Sequence, residues 1–343
     1  MTFALMGYNI EAFIEEAISG ALSQTYEPTE IILSDDCSAD ATYRIMEEMA
    51  AGYRGPHKVV LNRNPCNVGV GGHINRIMEL CTGEVVVIAA GDDVSLPNRV
   101  EKICEAYLES QRQALSLCSS CVLIDEAGAE LRHIPVMEDE TTLESMIANG
   151  SYVYGCTHAW HRSVFDMFGP LPLEIGQEDE VIPFRSLLLG KISRIGDTLV
   201  RYRMHANNLS SEYKYVAKDE KELQELDAIK FGLKLNKLKC YYRDLEVARD
   251  HVEKNRLNRL RKRLAEMISE CELEIAFRTA NIPEKLRVLR RGIIRGLGTG
   301  KLTKWTLRTV LPRLYSRYSY YKYRKRLKPD LLLAKETGGQ VFQ

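Results

Sequence analysis

Continuous apolar segments alternate with amphipathic stretches along the N-terminal part of the chain. Segments rich in apolar residues lie at residues 3–6, 31–33, 58–61 and 85–90. After the first of them, apolar residues from Ile10 to Leu22 recur with the period of a helix. Buried strands separated by helices are typical of a parallel sheet that is covered on both faces. The pattern therefore predicts an α/β domain over residues 1–211, with a twisted, mostly parallel sheet flanked by helices.

Polar residues mark where the first predicted helices begin. Asn9 follows the first strand, and its side chain is a favoured N-cap for the helix that runs to Leu22. Ser38 and Asp40 offer caps for a second helix that continues through Met49. Both helices thus begin just beyond the carboxyl end of a predicted strand.

The pattern changes after about residue 212. Residues 216–281 are rich in Lys, Glu, Leu and Ala. A 3-4-3-4 spacing of apolar side chains runs through Leu257, Leu260, Leu264, Met267 and Cys271. Two heptads are too few for a coiled coil, so core packing of long amphipathic helices is the favoured interpretation. We predict a helical region over residues 212–285, and packing against a second subunit stays open as a route to a homo-oligomer.

Charge is unevenly distributed, although 47 Lys and Arg balance 47 Asp and Glu over the whole chain. Residues 286–328 contain fourteen Lys and Arg and no Asp or Glu, so the rest of the chain carries a net charge of −14. Such a separation of charge indicates a distinct surface role for the C-terminal segment. We predict a basic, aromatic-rich tail over residues 286–343.

Three surfaces are candidates for contact with this tail. Trp305 and five tyrosines between Tyr315 and Tyr323 are interleaved with the basic residues. Aromatic side chains and positive charge suit an anionic membrane surface, which we favour for residues 286–328. A basic helix that covers an acidic face of the protein is the next alternative. Single-stranded nucleic acid is the least favoured of the three.

Cysteine usage and hydropathy bear on the compartment. The nine cysteines include one Cys-x-x-Cys pair, Cys118 and Cys121, which lies within the strand-like segment 115–124. This arrangement predicts reduced core thiols rather than a disulfide framework or a zinc site. No apolar run reaches the ~18 residues of a membrane-spanning helix, and no signal peptide precedes the first strand. We therefore expect a cytoplasmic protein, with peripheral contact to the inner face of the membrane as an option.

Two of the predicted strands end in paired acidic residues. Asp35 and Asp36 follow the second strand, and Asp92 and Asp93 follow the fourth. Ligands of parallel sheets bind beyond the carboxyl ends of the strands. Asp92 and Asp93, next to Gly91, predict a site for Mg²⁺ or Mn²⁺ that leaves room for diphosphate oxygens. The alternative is an ordinary Gly-Asp-Asp turn.

Three further residues suit chemistry at the same site. Asp35 and Asp36 have carboxylates that can accept an N–H group of a nucleobase, while Tyr8 supplies an aromatic face. Helix capping is the alternative for the two acids.

Glu178 and Asp179 precede an apolar run that ends at Leu189. Like-charged neighbours raise the pKa of a carboxyl group, and a general base needs such a raised value. The alternative is that both acids complement the dipole of the helix that follows. His205 becomes a metal ligand only if it has a partner.

Together these segments resemble family-2 glycosyltransferases of the GT-A fold. The resemblance covers roughly residues 1–210. The matching segments are Tyr8-Asn9, Ser23-Gln-Thr-Tyr26, Asp35-Asp-Cys-Ser-Ala-Asp40, Asn67-Val-Gly69, Ala90-Gly-Asp-Asp93, Glu178-Asp179 with Arg185, and Tyr202-Arg-Met-His205. They occur in the order of the family and at close to its spacing.

The resemblance implies a role for each matching residue on the donor side. Tyr8, Asp35 and Asp36 would hold the nucleobase of a sugar nucleotide, a UDP- or dTDP-sugar. Asp93 would bind the divalent metal, Mn²⁺ or Mg²⁺, and Asp92 beside it would contact the donor ribose or diphosphate.

On the acceptor side, the resemblance implies that Asp179 is the base that deprotonates the acceptor hydroxyl, with Glu178 contacting the donor next to it. His205 would be a late contact to the metal or the diphosphate.

Two departures from the family pattern concern the first and fourth strands. Ala90 occupies the first acidic position of the usual Asp-x-Asp-Asp, and Met6-Gly7 replaces the usual Pro-Thr. The first departure leaves the metal to Asp93 alone in this segment. The implied activity is inverting sugar transfer to an acceptor hydroxyl in cell-surface polysaccharide or glycolipid assembly. The alternatives are a nucleotidyltransferase and a non-catalytic sugar-nucleotide-binding or scaffold module.

Overall fold

A computed structural model describes residues 1–137, 141–151, 153–205, 208, 217, 219–279, 282–295 and 297–326. Its strands are β1 (Thr2–Gly7), β2 (Glu30–Asp35), β3 (Lys58–Arg63), β4 (Val85–Ala90), β5 (Val94–Ser95), β6 (Ala114–Ile124), β7 (Glu130–Ile134), β8 (Ala159–His161) and β9 (Lys191–Arg203). They form one nine-stranded sheet in the order β3-β2-β1-β4-β8-β6-β9-β5, with β7 paired to β6.

Twelve α-helices accompany the sheet in the described residues. They are α1 (Ile14–Leu22), α2 (Thr42–Gly52), α3 (Gly69–Leu80), α4 (Arg99–Glu109), α5 (Leu143–Asn149), α6 (Ser163–Phe168), α7 (Glu178–Leu189), α8 (Glu220–Val247), α9 (Lys254–Thr279), α10 (Ile282–Ile294), α11 (Thr299–Val310) and α12 (Pro312–Arg326). The predicted α/β architecture followed by a helical region is confirmed.

The first four strands are parallel, and their carboxyl ends lie at one edge of the sheet. In register, Gly7 of β1 pairs with Asp35 of β2, and Met6 pairs with Ala90 of β4. Beyond β4 the sheet is mixed, because β8 runs antiparallel to both β4 and β6. The register places the acids that follow β2 and β4 on either side of the end of β1.

The N-cap predicted for Asn9 is wrong. Helix α1 begins only at Ile14, and Asn9 lies in the left-handed region with φ of 49°. The Asn9 side-chain oxygen accepts the backbone N–H of Ala39 at 2.8 Å, and Ser38 Oγ accepts the N–H of Asn9 at 2.9 Å. Asn9 thus ties the loop after β1 to the loop after β2. Asp40 does accept the N–H of Thr42, at the start of α2.

The core beneath this edge is built from the apolar face of α1 and the central strands. Ile14 and Ile18 are fully buried, as are Phe3 of β1 and Ile31 of β2. Burying one such side chain contributes about 1.5–3 kcal/mol. The apolar period that predicts α1 therefore also fixes which face of the helix meets the sheet.

The described residues form two compact units. Unit 1 comprises the described residues within 1–204 and 239–262, and unit 2 comprises the described residues within 205–238 and 263–326. Unit 1 thus includes the end of α8 and the start of α9. The predicted domain division at residues 211 and 285 stays a prediction.

Unit 2 has its own small apolar core. Trp305 of α11 is 1% exposed and stacks on Phe277 of α9 with ring centroids 4.7 Å apart. Its indole N–H donates to Glu274 at 2.7 Å. The prediction that Trp305 belongs to a surface aromatic set is therefore wrong, because the ring is the centre of this core.

Apolar positions of the 3-4-3-4 pattern, from Leu257 to Cys271, are buried.

All nine cysteines are free thiols. Cys118 and Cys121 are buried in β6, as predicted, whereas Cys66 is exposed. Among the described residues, no helix has both the length and the hydropathy to cross a membrane.

Candidate active site

Asp35 ends β2 with a fully buried side chain. Its Oδ2 accepts the backbone N–H of Ser38 at 2.9 Å, and Arg63 Nε lies 3.4 Å from the same oxygen. Its Oδ1 is buried and has no hydrogen-bond partner in the described part of the chain. A buried oxygen that lacks a donor is an energetic cost unless a ligand supplies one.

Asp36 holds the loop between β3 and α3. Its Oδ1 accepts Asn64 Nδ2 at 2.8 Å and the N–H of Val68 at 3.0 Å, and its Oδ2 accepts the N–H of Gly69 at 3.1 Å. A carboxylate has about four acceptor sites, so most of the capacity of Asp36 serves this loop. Tyr8, just beyond the end of β1, has a side chain that is 48% exposed. The structure therefore offers an aromatic ring at the edge between the two acidic pairs.

Asp93 is a buried acid with a raised pKa. Its Oδ1 accepts the backbone N–H of Arg203 at 2.8 Å, and its Oδ2 is buried with no hydrogen-bond partner among the described residues. Burial, together with the charge of Asp92, raises the pKa of Asp93 well above its ordinary value. A Cβ on Gly91 would lie 2.8 Å from Ile14 Cδ1, so glycine at this position serves the close packing of the turn on α1.

A divalent metal fits Asp93 as part of a shared ligand set. The unsatisfied Oδ2 is a hard oxygen ligand, and a cation beside it would favour the ionised form. In the part of the chain that the structure describes, no cluster of three or more His, Cys, Asp or Glu side chains could hold a metal ion by itself. Asp93 and Asp92 would therefore share the ion with ligand oxygens, as Mg²⁺ sites with few carboxylates do.

Arg203, the last residue of β9, fixes the acidic turn in place. Its Nε donates to the carbonyl of Asp92 at 3.0 Å, and its side chain forms an ion pair with Glu16 of α1. Its guanidinium also donates to the carbonyl of Glu126 at 2.9 Å. The side chain is 2% exposed. Sequence reasoning assigned no role to Arg203, because a surface-type residue gives no local signal of burial.

Glu178 and Asp179 open α7, where the sequence predicts them. Burial and the neighbouring Asp179 raise the pKa of Glu178 from 4.5 to about 8. A Cβ at Gly155 would lie 3.0 Å from Glu178 Oε1 and 3.7 Å from Asp179 Cβ, so the backbone at Gly155 packs closely on both residues. The raised pKa expected from like-charged neighbours is thus found for Glu178.

A three-residue turn, Gly155–Thr157, links this pair to Asp93. A hydrogen bond with Cys121, burial and the charge of Asp93 raise the pKa of Cys156. Cys156 therefore lies within electrostatic reach of Asp93, while the adjacent Gly155 packs on Glu178. The same short turn thus packs on Glu178 and Asp179 through Gly155 and interacts electrostatically with Asp93 through Cys156.

Two buried side chains, Arg99 and the neighbouring His158, belong to the surroundings of Asp93. Arg99 is fully buried and donates to Ser95 Oγ at 2.8 Å and to the carbonyl of Ile88 at 2.7 Å. Burial and the charge of Arg99 lower the pKa of His158 to about 3, so this imidazole stays neutral. Neither residue carried a prediction from the sequence. Arg99 supplies positive charge that opposes the rise in the pKa of Asp93.

Helix α7 is held by residues from the end of α8. Arg185 Nε donates to Asp244 Oδ2 at 2.7 Å, and both side chains are fully buried. The Tyr241 hydroxyl donates to Glu180 Oε2 at 3.1 Å, and the Tyr241 ring stacks on Phe184 at 3.9 Å. These contacts fix the axis of the helix whose first turn carries Glu178 and Asp179.

His205 falls in unit 2. Its backbone N–H donates to Asn208 Oδ1 at 2.6 Å. Its predicted contact to a metal or a diphosphate stays a prediction.

The fold is a mixed α/β sheet with paired acids at the carboxyl ends of its parallel strands, and comparison with known proteins shows which family it resembles. The family model described as Glycosyl transferase family 2 matches residues 5–166. Residues 5–166 are thus similar to family-2 glycosyltransferases, and the GT-A fold expected from the sequence is confirmed.

Relatives and solved structures agree with this class. The putative glycosyltransferase EpsE of Bacillus subtilis (strain 168) is 36% identical over 125 residues, which are 36% of this chain and 44% of EpsE. An uncharacterized protein of Mycobacterium tuberculosis (strain ATCC 25618 / H37Rv) is 26% identical over 213 residues, which are 61% of this chain and 60% of that protein. The chain thus spans about half the length of these two relatives.

The crystal structure of S. aureus TarS residues 1–349 has a TM-score of 0.54 to this chain at 16% identity. It covers 100% of this chain and 92% of the TarS chain. A second structure of the same TarS fragment, in complex with UDP-GlcNAc, also has a TM-score of 0.54 and covers 94% of this chain and 91% of that one. At this identity the likeness concerns the fold.

Proposed function

We propose that the protein is an inverting glycosyltransferase that moves a sugar from a nucleoside diphosphate donor to an acceptor hydroxyl. The observation that carries the proposal is the turn Gly155–Thr157, where Gly155 packs on Glu178 and Asp179 while the charge of Asp93 acts on Cys156. The family-2 domain over residues 5–166 supports the class of reaction.

For the donor, we assign the nucleobase to Tyr8 and Asp35, with Asp36 beside them. Tyr8 offers an exposed ring, and Asp35 has one buried oxygen without a donor in the described residues. Asp36 already accepts three N–H groups, so its main task is to hold the loop before α3. Because TarS was solved with UDP-GlcNAc, a UDP-sugar is the first donor to test, followed by dTDP-sugars.

For the leaving group, Asp93 with Asp92 would hold Mn²⁺ or Mg²⁺, which supplies positive charge to the departing diphosphate. The carboxylate of Asp93 is fixed toward β9 by the N–H of Arg203 and directs its second oxygen away from that bond. His205 as a later contact to the metal or the diphosphate belongs to the same proposal.

For the acceptor, Asp179 takes the proton from the hydroxyl as its oxygen attacks the anomeric carbon. The new C–O bond forms on one face of the sugar while the bond to the diphosphate breaks on the other, so the anomeric configuration inverts. Glu178, whose pKa is raised to about 8, stays mostly protonated at neutral pH. A neutral Glu178 adds no second negative charge beside Asp179.

We further propose that the acceptor is a cell-surface polysaccharide or a glycolipid, and that transfer takes place in the cytoplasm. Nine free thiols support a reducing compartment. A homo-oligomer formed through the helical region stays a prediction.

The test is a panel of sugar nucleotides incubated with the full chain and Mn²⁺, in which release of the nucleoside diphosphate is measured. We expect release with one donor, and faster release when a saccharide acceptor is present. Tight nucleotide binding without turnover on any donor would indicate the scaffold alternative instead. Release of pyrophosphate from a nucleoside triphosphate and a sugar phosphate would indicate a nucleotidyltransferase.

A further inference from the structure

Exposed apolar side chains are concentrated in the last three helices of unit 2. In the described residues, eighteen large apolar side chains are exposed, and nine of them lie between residues 286 and 321. They are Leu286, Ile293, Ile294, Leu307, Val310, Leu311, Leu314, Tyr318 and Tyr321. Clusters of this kind on a folded protein mark interaction surfaces.

Helix α10 places apolar and basic side chains on the same exposed face. Val288 and Gly292 are buried toward the core of unit 2. On the other side, Leu286, Ile293 and Ile294 are 56%, 63% and 74% exposed. Helical geometry puts the exposed Arg290 between them, since it is four residues after Leu286 and three before Ile293.

Helices α11 and α12 repeat this arrangement. In α11, Trp305 faces the core, while Leu307 and the exposed Lys304 lie on the opposite side. In α12, Leu314 and Tyr318 are 62% and 54% exposed, and Lys322 Nζ lies 5.2 Å from the centre of the Tyr318 ring. Each of the three helices therefore presents aliphatic or aromatic side chains together with Lys or Arg.

Some of the basic residues serve the fold instead. Lys301 forms an ion pair with Glu270, and Arg308 pairs with Glu274 at 2.9 Å. Arg295 donates to Ser269 Oγ at 2.7 Å. This is the helix-covering role considered from the sequence, and it accounts for these three residues. It leaves the exposed arginines of α10 and the exposed apolar side chains without explanation.

We propose that α10, α11 and α12 form a docking surface for an anionic lipid bilayer. Apolar side chains would enter the boundary between headgroups and acyl chains, while Lys and Arg would extend toward the headgroup phosphates. Residues 286–328, which include most of α10 and all of α11 and α12, have fourteen basic residues and no acidic residue, so they are complementary to a negative leaflet. The proposal does not depend on the catalytic assignment.

Two other occupants fit the surface less well. A symmetric second copy would place this surface against itself, and its uniform positive charge would repel. A single-stranded nucleic acid would use the positive charge and the tyrosines, but it has no use for exposed Ile293, Ile294, Val310 or Leu314.

The experiment is flotation of the full chain with vesicles of phosphatidylcholine alone or mixed with phosphatidylglycerol. We expect binding to the mixed vesicles only, weakened by added salt. Two double variants separate the apolar contribution to binding from the electrostatic one. Ile293→Ser with Ile294→Ser removes apolar side chains, and Arg290→Gln with Arg291→Gln removes positive charge. Each should lower the partition coefficient by roughly tenfold or more, because the first removes apolar area that enters the bilayer boundary and the second removes two positive charges near the anionic surface.

Matched controls lie in unit 1. Leu173 is 71% exposed, so Leu173→Ser removes an exposed apolar residue outside the proposed surface. Arg44→Gln with Arg54→Gln removes two exposed charges from the α2 region. Both controls should bind the mixed vesicles as the wild type does, and all variants should keep the wild-type melting temperature.

Four results would overturn the proposal. The first is equal flotation with and without phosphatidylglycerol, and the second is unchanged partitioning of both double variants. The third is a dimer in solution that the Ile293→Ser with Ile294→Ser variant dissociates in the absence of lipid, since the surface would then join two copies. Binding of a single-stranded oligonucleotide without vesicle binding would equally reject it.

Discussion

The backbone N–H of Arg203 donates to Asp93 Oδ1 at 2.8 Å, which joins the end of β9 to the acidic turn after β4. The Arg203 guanidinium reinforces this junction through the carbonyl of Asp92. One oxygen of Asp93 is therefore committed to the fold, and the other is left for a ligand. A substitution at Asp93 can therefore keep the bond to the Arg203 N–H and remove the charge that a ligand would use.

Asp93→Asn tests the ligand role. The Asn side-chain carbonyl can still accept the N–H of Arg203, so the fold should survive while the negative charge is lost. We expect metal-dependent binding of UDP to weaken by about tenfold or more, since a buried charged partner is worth over 1.4 kcal/mol. Calorimetric titration with UDP in the presence and absence of Mn²⁺ measures this. Equal affinity of the wild type and the variant in Mn²⁺ would contradict the role.

Asp179→Asn tests the base. Removing a general base typically costs about 10²–10⁴-fold in rate, whereas nucleotide binding does not require it. We expect transfer to fall in that range with unchanged affinity for the nucleotide. Asp166→Asn, on the exposed side of α6, is the matched control and should turn over normally. If Asp179→Asn were active and Glu178→Gln inactive, the base would have to be reassigned to Glu178.

Glu178 makes stability depend on pH in an unusual direction. Its pKa is raised to about 8 in the folded state, against 4.5 ordinarily. Between these two values the folded protein binds more protons at this site than the unfolded chain, so stability falls as pH rises from 4.5 to 8. Glu178→Gln cannot ionise and should therefore gain stability relative to the wild type over this interval.

Urea unfolding midpoints at pH 5, 6, 7 and 8 measure this gain. Glu174→Gln, at an exposed position before α7, serves as the control and should follow the wild type. Parallel pH profiles for the wild type and Glu178→Gln would show that the Glu178 carboxyl is not perturbed.

Asp244→Asn tests the anchor of α7. The variant leaves the fully buried guanidinium of Arg185 without its countercharge, which costs about 3–5 kcal/mol in comparable buried pairs. Replacing both partners with apolar residues, as in Arg185→Met with Asp244→Leu, should recover most of that loss. Urea unfolding of both variants decides the point, and Asp250→Asn, at an 89% exposed side chain, is the control. Equal losses in the single and the double variant would count against an electrostatic anchor.

The strands that end at the acidic edge of the sheet, and the helix α1 beside them, could be predicted from the sequence because their signals are local. The apolar runs of β1, β2 and β4 and the period of α1 are each contained within a few residues. The acids that follow β2 and β4 are adjacent in the chain to those runs. Since parallel strands align their carboxyl ends, their proximity follows from the pattern alone.

The remainder of the site depends on contacts between distant parts of the chain. Strand β8 has only three residues, and nothing local indicates that it enters the sheet between β4 and β6. The buried roles of Arg99 and Arg203 require knowledge of which carbonyls surround them. Asparagine is common at helix N-caps, so the sequence predicts a cap at Asn9. In the structure its side chain instead accepts the N–H of Ala39 in the loop after β2.

The anchoring of Arg185 by Asp244 has a practical consequence for anyone who expresses this protein in pieces. A recombinant fragment that stops near codon 211 would contain every proposed catalytic residue, yet it would strip α7 of the side chains that hold it. Such a fragment should misfold or precipitate, and its inactivity would say nothing about chemistry. The shortest dependable expression boundary lies beyond residue 262, where the discontinuous first unit is complete.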